Sequence, residues 1–358
     1  WEQRKLGEVF QEYSEKNHPE LPALTIIQGG GTVLREESER KLQYDKSSLA
    51  GYKMVREDDF IVHLRSFEGG LEKSNHNGLI SPAYHTFHGD EVDSRFYYPY
   101  FRSYEFIKHK LVPHVYGIRD GRSIDIDGMK TIEIPWTSYE EQKKIGDYIE
   151  SLDTLITLHQ RKCDETKKLK KFMLQKMFPK KDEKKPEIRF AGFTDDWEQR
   201  KLGEIITEYK ETVDSDCTLP ILTSSKTEGV ILQEEHFGRK QQHDITGYNI
   251  LPRNYCTYRN RSDGVDFTFN INKCCDKGII SKFYPVFSGK NSDVFFLSLV
   301  LNNSEEVVHE IAYTCTGTGQ KVLSFLDLQK MKVRVPNFDE QKEIAAYFES
   351  LDHLITLH

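Results

Sequence analysis

An internal repeat is the feature that most constrains the fold of this chain. The stretch Trp1-Glu-Gln-Arg-Lys-Leu-Gly-Glu8 recurs unchanged as Trp197-Glu-Gln-Arg-Lys-Leu-Gly-Glu204. The stretch Ser151-Leu-Asp-Thr-Leu-Ile-Thr-Leu-His159 recurs, with one difference, as Ser350-Leu-Asp-His-Leu-Ile-Thr-Leu-His358. Because self-similarity at a long spacing marks a repeated structural unit, the chain is predicted to contain one unit twice, in the same order.

The two copies differ between these matched ends. From residue 31 to residue 116 the first copy shares a pattern of strands and turns with the second, but few identities. Neutral drift after a tandem duplication is one interpretation. Confinement of the differences to the middles favours the other, in which a common frame carries two different binding surfaces.

Length and composition predict two folded domains without a membrane span. The chain has 358 residues, of which 37% are hydrophobic and 30% are charged, which suits packed cores with a solvated surface. No apolar run approaches the length of a transmembrane helix, and the first residues lack a signal-peptide core, so a cytoplasmic location is expected. The six cysteines form no C-x-x-C pair, which argues against a disulfide framework or a zinc site.

The net charge of −7 does not favour a nucleic-acid partner by itself, because Lys and Arg dominate phosphate binding. The distribution of charge matters more than its sum. Basic residues concentrate from Arg161 to Lys185 and in several loops, so basic surfaces are compatible with an acidic total.

Each copy is predicted to be a mixed α/β domain followed by a helix. Strands are predicted at Lys53–Arg56 and Asp59–Leu64, which are rich in β-branched and aromatic residues. The alternating stretches 131–134 and 331–335 are predicted as strands that end at Pro135 and Pro336. Capping residues and carboxylates follow each proline and predict a helix start.

The helix of the first copy is predicted to run from about Tyr139 to Phe178, about 60 Å at 1.5 Å per residue. Its apolar residues follow the 4,3 spacing of a coiled coil, which predicts a spacer that pairs with a second helix. The linker after it contains two prolines and is predicted to be exposed. Because the second copy stops at the counterpart of His159, we expect flanking sequence to be missing at both ends. Residues predicted for helix pairing or subunit interfaces are Ile145, Ile149, Leu152, Ile156, Leu351 and Ile355.

The sequence offers no catalytic motif. The stretch 314–321 has the wrong spacing for a phosphate-binding loop, and Gly29-Gly30-Gly31 lacks the dinucleotide-binding pattern. His85 and His88 could be drawn as a metal pair, but surface histidines with ordinary partners are the better interpretation. We therefore predict no catalytic residue and no metal site.

Polar, basic and glycine-containing loops at equivalent places in the two copies favour DNA reading. Arg recognises guanine edges and Asn recognises adenine, while glycine permits a close approach of the backbone. Solvated loops without a binding role are the alternative for any individual residue. The predicted DNA-binding residues are Gln28, Arg65, Ser66, Lys73, Ser74, Arg119, Arg122, Ser224, Ser225, Lys226, Arg259, Asn260, Arg261, Gln320 and Lys321.

These features together resemble the specificity subunit of type I restriction–modification systems. Each copy ends in a proline that is followed by Glu-Gln-x-x-Ile and then by Leu-Asp-x-Leu-Ile, at Pro135–Ile145 with Leu152–Ile156, and at Pro336–Ile344 with Leu351–Ile355. The second copy is two residues shorter between the proline and the Glu-Gln pair. The Trp-Glu-Gln-Arg-Lys-Leu-Gly-Glu openings are also typical of the family, and the resemblance covers essentially the whole chain.

The resemblance implies two globular target recognition domains, separated by long antiparallel coiled-coil helices in a pseudo-twofold internal repeat. The predicted boundaries are 1–136 and 197–336 for the recognition domains, 137–178 for the spacer helix, 179–196 for the linker and 337–358 for the start of a second spacer helix. Each domain would read half of a bipartite target in double-stranded DNA, and the helices would set the gap.

The resemblance also implies partners that perform the chemistry. Two modification subunits would methylate adenine N6 with S-adenosylmethionine, and two restriction subunits would use ATP and Mg²⁺, while this chain would hold no cofactor. Two alternatives stay open from the residues alone. One is an enzyme fused to a recognition region, and the other is a duplicated protein-binding scaffold that never touches DNA.

Overall fold

The structure is a computed structural model that describes residues 1–38, 46–63, 70–117, 123–239, 244–264, 266–317 and 319–357. The chain divides into two compact units, Trp1–Leu158 and His159–His358. The division falls inside one long helix rather than in the linker after it. The predicted boundaries of the recognition domains stay a prediction.

The first unit mixes short strands and helices. Its strands are β1 Glu2–Lys5, β2 Gln11–Tyr13, β3 Leu24–Ile27, β4 Gly31–Leu34, β5 Lys53–Val55, β6 Phe60–His63, β7 Glu72–Lys73, β8 Gly78–Ile80, β9 Tyr84–His88, β10 Val115–Tyr116, β11 Ser123–Ile124 and β12 Glu133–Trp136. Its α-helices are α1 Leu6–Val9, α2 Ser94–Phe101, α3 Ile126–Lys130 and the start of α4 Tyr139–Lys176, with 3-10 turns at Lys46–Gly51 and Val112–His114 and a π-helix at Glu105–Leu111.

The second unit follows the same plan and adds helices. Its strands are β13 Glu198–Lys201, β14 Ile206–Tyr209, β15 Leu222–Ser225, β16 Gly229–Leu232, β17 Asn249–Pro252, β18 Cys256–Tyr258, β19 Arg261–Ser262, β20 Phe269–Ile271, β21 Lys277–Ile280, β22 Val286–Gly289, β23 Lys321–Val322 and β24 Lys332–Val335. Its helices are α5 Leu202–Ile205, α6 Gln233–Phe237, α7 Val294–Asn303, α8 Glu305–Thr314, α9 Phe325–Lys330 and α10 Phe338–Leu357.

The two units share one strand topology. A four-stranded antiparallel sheet has the order β2-β9-β6-β7 in the first unit and β14-β22-β18-β20 in the second. The two-stranded antiparallel pairs also correspond: β1-β12 to β13-β24, β3-β4 to β15-β16, and β5-β8 to β17-β21. The predicted mixture of helices and strands is therefore confirmed.

Aromatic side chains fill the main core of each unit. In the first unit Phe10, Phe60 and Phe101 are almost fully buried, and their ring centroids lie 4.9–5.6 Å apart in edge-to-face pairs. In the second unit Trp197 packs against Phe178 and Phe296. Such pairs add about 0.5–1.5 kcal/mol each beyond the area they bury.

The repeated Glu-Gln motif joins the long helices to these cores. Gln142 is fully buried, and its Oε1 accepts a hydrogen bond from the backbone N–H of Asp93 at 3.1 Å while its Nε2 donates to the carbonyl of Thr137. Gln341 makes the same pair of bonds with Asp293 and Pro336. Asp93 and Asp293 in turn cap α2 and α7, so the motif fixes each long helix against a capped helix of its own unit.

The strand before α4 corrects one prediction. β12 continues through Pro135 to Trp136, whereas β24 ends before Pro336 as predicted. Among the described strands β12 pairs with β1 alone, with Pro135 opposite Gln3. A proline is tolerated there because an edge position can lack one ladder hydrogen bond.

The described helices include none with the length and hydrophobicity that a bilayer crossing requires. In the described ranges, His, Cys, Asp and Glu side chains form no group of three or more suited to a metal ion. His85 and His88 each have a carboxylate partner, Glu12 at 2.5 Å and Asp59 at 2.6 Å.

Candidate nucleic-acid interface

The tips of two equivalent hairpins carry predicted DNA-binding residues. In the β3–β4 hairpin Ile27 pairs with Gly31, and in the β15–β16 hairpin Ser225 pairs with Gly229. Gln28 and Lys226 therefore occupy the same position, the first residue of each connection, and both are exposed. The sequence places Gln28 and Lys226 in corresponding loops, and the strand register shows that they are equivalent residues.

In the second unit this hairpin tip lines a cavity of about 420 Å³. Lys226 comes from the tip, while Arg259 and Arg261 come from the chain between β18 and β20. The remaining lining residues are Ser224, Ser262, Asp263, Gly264, Asp266, Phe267, Thr268 and Tyr284. Cationic and hydrogen-bonding groups therefore surround one concave surface, as required for contact with phosphates and base edges.

Carboxylates balance part of the positive charge of this cavity. Asp266 pairs with Lys226 and accepts a hydrogen bond from the Ser262 hydroxyl at 2.9 Å. The bond from Lys226, followed by that from Ser262, holds the pKa of Asp266 below its ordinary value. Asp266 therefore stays ionised near neutral pH, as its ion pair with Lys226 requires.

The guanidinium group of Arg261 packs against the ring of Phe283. Its guanidinium carbon lies 4.4 Å from the centroid of the Phe283 ring, a cation–π arrangement. Arg261 and Ser262 form the short strand β19, which pairs with β23 so that Lys321 lies opposite Ser262. The structure thereby brings Lys321 beside the loop that lines the cavity.

The other predicted residues of the second unit have different surroundings. The Oδ1 atom of Asn260 is buried and has no hydrogen-bond partner among the described residues, so it is not presented on the surface. The hydroxyl of Ser225 accepts bonds from the backbone N–H groups of Thr227 and Glu228 and shapes the turn. Gln320 is exposed in the loop before β23.

The first unit places its predicted residues in several environments. Lys73 lies in β7, where its ammonium is 3.0 Å from Asp58. Ser74 is fully buried and bonds to Thr32 and to the carbonyl of His76, so it supports the sheet. Four predicted DNA-binding residues lie outside the described residues: Arg65, Ser66, Arg119 and Arg122.

Sequence reasoning missed several cavity residues. Asp266 and Thr268 stand in a stretch without repeat identity, so nothing marked them. Tyr284 carried a usable signal, because Gly78-Leu-Ile-Ser-Pro-Ala-Tyr84 corresponds to Gly278-Ile-Ile-Ser-Lys-Phe-Tyr284.

The predicted helix-pairing residues separate into three groups. Ile145 packs against the first core, and Ile149 is partly buried. Leu152 and Ile156 are 40% and 53% exposed. Leu351 belongs to the second core, and the carbonyl of Ile355 accepts a weak bond from the Cys163 thiol.

The second half of α4 runs antiparallel to α10 within the second unit. Cys163 meets Ile355, and Lys170 forms an ion pair with Asp352, one turn nearer the start of α10. Beyond the end of α4, the Phe178 ring packs against the Phe348 ring in a tilted arrangement, with centroids 6.2 Å apart. The weakly apolar half of the predicted seam therefore has a helical partner in the described structure.

Comparisons with known proteins agree on one family. Residues 194–358 match the model of the type I restriction modification DNA specificity domain. Two proteins of Methanocaldococcus jannaschii are named as specificity subunits of the type I restriction enzymes MjaX and MjaVIII. They are 27% and 25% identical to this chain over 259 and 257 residues.

These matches cover 66% and 65% of this chain but 56% and 58% of the relatives, so the chain spans just over half of their length. Among solved structures, the S subunit of a type I restriction-modification system from M. genitalium has a TM-score of 0.57 with this chain. That match covers 100% of this chain and 90% of the other at 13% identity, and it shows a shared fold.

Proposed function

We infer that this chain is a specificity subunit of a type I restriction–modification system, and that it supplies DNA sequence specificity and performs no chemistry itself. Each recognition domain would read one half of a bipartite target in double-stranded DNA. The long helices α4 and α10 would set the gap between the halves. The chain would act in the cytoplasm as part of a larger complex.

The observation that carries this proposal is the matched pair of hairpin tips beside a cationic cavity. Gln28 and Lys226 occupy one position of a common frame, yet they differ in chemistry. In the second unit Arg259 and Arg261 stand beside that tip. Arg can bind guanine through two hydrogen bonds, and Lys can neutralise a phosphate, so these groups suit both parts of DNA recognition.

The chemistry would belong to partner subunits. Two modification subunits would bind S-adenosylmethionine and methylate adenine N6, and two restriction subunits would use ATP and Mg²⁺. Exposed apolar side chains on the first half of α4 support docking of a modification subunit there, since contiguous apolar surface marks interaction sites. These side chains are Tyr148, Leu152, Leu155, Ile156 and Leu158.

The assignment of one half-site to each unit is tested by exchanging residues 1–135 for those of a relative. Methylated adenines are then mapped in cells that carry the complete system. We expect one half-site of the methylated sequence to change and the other to persist. Loss of both half-sites in a folded, assembled complex would contradict the proposal.

Arg261→Ala tests the cavity directly. In the assembled complex we expect discrimination at one position of the second half-site to fall about tenfold or more, with the first half-site unchanged. Lys226→Ala should instead weaken binding to all sequences and reduce the salt dependence by about one ion. Arg253→Ala is the matched control, because Arg253 pairs with Asp276 and does not line the cavity.

A complex that assembles but binds no DNA, with or without the modification subunit, would favour the protein-binding scaffold instead. Methyl transfer by the purified chain alone would favour an enzyme. Either result would overturn the proposed function.

A further inference from the structure

A buried carboxylate anchors the hairpin tip of the first unit. Glu72 in β7 is 7% exposed, and its Oε1 accepts a hydrogen bond from the backbone N–H of Gly29 at 2.8 Å. Its Oε2 accepts a longer bond, 3.4 Å, from the N–H of Gly31. These two glycines belong to the turn that carries Gln28. Glu72 therefore holds the β3–β4 hairpin tip through its backbone, from a buried position.

The second unit has an anchor at the same position of its sheet. Glu72 pairs with Ile61 across β6–β7, and Asn270 pairs with Thr257 across β18–β20. Phe60 and Cys256, the neighbours of these partners, pair with Phe87 and Phe287 in the adjacent strands, which fixes the correspondence. The Nδ2 of Asn270 donates to the Ser224 hydroxyl and to the Ser225 carbonyl, both at 2.8 Å.

A second pair of equivalent residues completes each anchor. Arg102 and Asn302 both stand nine residues after the capping residues Asp93 and Asp293. Arg102 forms an ion pair with Glu72, which also accepts a bond from the Tyr98 hydroxyl at 2.7 Å. Asn302 bonds to the backbone N–H and carbonyl of Phe269, next to Asn270.

The two units therefore reach one result with different chemistry. A buried carboxylate needs a cation and several donors, and the first unit supplies them. The neutral amide of Asn270 needs no counter-charge, and a neutral amide stands where the first unit has Arg102. The two positions are in direct contact in the first unit, whereas in the second unit Asn302 holds the backbone next to Asn270.

We propose that Glu72 and Asn270 are positioning residues that set the conformation of the hairpin tips and so decide which bases each half-site accepts. This inference rests on the proposed function, since it assigns the control of reading within the same interface. Neither side chain needs to touch DNA. A displacement of about 1 Å at the tip would suffice, because base-edge hydrogen bonds weaken steeply outside their narrow range of distance and angle.

Glu72→Gln tests the first anchor with little change in volume. The amide oxygen can still accept one of the two glycine N–H groups, but the amide NH₂ faces another donor and no longer neutralises Arg102. We expect discrimination at the first half-site to fall about tenfold, with the second half-site as an internal control. Affinity for non-specific DNA and its salt dependence should stay unchanged, because phosphate contacts are intact.

Asn270→Ala is the mirror experiment. It should relax the second half-site and leave the first unaltered. Glu12→Gln is the matched control in the first unit, because the Glu12 carboxylate pairs with His85 and Lys130 and not with the hairpin.

Half-site discrimination is measured by methylation of target libraries by the assembled complex, alongside thermal unfolding and non-specific DNA binding. Unchanged half-sites in folded variants would overturn the proposal. Equal loss at both half-sites, with loss of non-specific binding, would show a general structural role and would also overturn it. If Glu72→Gln does not fold, Asn270→Ala decides by the same criteria. Failure of the proposed function would be seen separately, as absence of bipartite methylation by the unaltered complex.

Discussion

Gly31 and Gly229 are equivalent residues with different surroundings. Both begin the second strand of a hairpin, and both have positive φ angles, 69° and 74°. A Cβ atom added at Gly31 would lie 2.5 Å from the carbonyl oxygen of Lys73, whereas one added at Gly229 would meet nothing within 4 Å. Substitution of Gly229 therefore tests only the cost of placing an L-residue at a positive φ angle. Substitution of Gly31 adds the steric cost of the clash with the Lys73 carbonyl.

Gly229→Ala is expected to lower the free energy of unfolding by about 1 kcal/mol, because an L-residue is disfavoured at this φ. Gly31→Ala should cost at least about twice as much, since backbone atoms must also move apart. Urea denaturation of the full chain measures both changes. Equal losses would show that the Lys73 carbonyl gives way without penalty.

At this scale the sequence located loops better than individual contacts. It placed Gln28 and Lys226 in loops at equivalent places of the two copies, and the strand register shows that these loops are hairpin tips. It failed for Ser74, which was grouped with a polar loop. The two-residue strand β7 returns the chain to the sheet just before Ser74, and a strand of that length leaves no alternation to detect.

Among the elements, the linker after α4 holds α10 through a buried ion pair. The Nε and Nη2 atoms of Arg189 donate hydrogen bonds to the two carboxylate oxygens of Glu340, each at 2.7 Å. The Arg189 side chain is 12% exposed and Glu340 is fully buried. The equivalent residue in α4 is Glu141, which is exposed and accepts a bond from the Trp1 indole at 3.0 Å.

Arg189→Ala is expected to lower the free energy of unfolding by about 3 kcal/mol, because it leaves the Glu340 carboxylate buried without a partner. Glu141→Gln is the matched control and should change stability little. Chemical denaturation of both variants gives the comparison. A loss no larger than that of the control would mean that water or another cation reaches Glu340.

The elements themselves were largely predictable from pattern. Strands β5 and β6 and the long helix follow from β-branched runs and a 4,3 spacing. The pattern did not predict which face of the helix has a partner. The apolar residues Leu152 and Ile156 are exposed, while Cys163 and Lys170 contact α10. Spacing identifies a face, but only tertiary contacts identify what covers it.

For the whole molecule, the stretch 151–160 of α4 belongs to neither core. All ten of its residues are exposed, and the boundary between the two compact units falls within it. Residues from Cys163 onward pack in the second unit, and Ile145 packs in the first. The length of α4 can therefore be altered here with little effect on either core.

Insertion of seven helix-forming residues after Thr154 is expected to lengthen the gap between half-sites by up to about three base pairs, at 1.5 Å per residue and 3.4 Å per base pair. Both half-site sequences should persist. The same insertion after Asp182, in the exposed linker whose ends are held by Lys176 and Glu187, should leave the gap unchanged. Methylome sequencing measures the gap, and an unaltered gap after the helix insertion would contradict the spacer role.

The near-identical stretches 151–159 and 350–358 also have a consequence for inheritance. A genetic crossover within the first stretch would exchange a whole unit together with its buried anchor, its capped helix and its aromatic core. In the first stretch the join would fall among exposed side chains, so parental cores would not need to fit each other there. A single crossover could therefore produce a new combination of two units, each of which already folds.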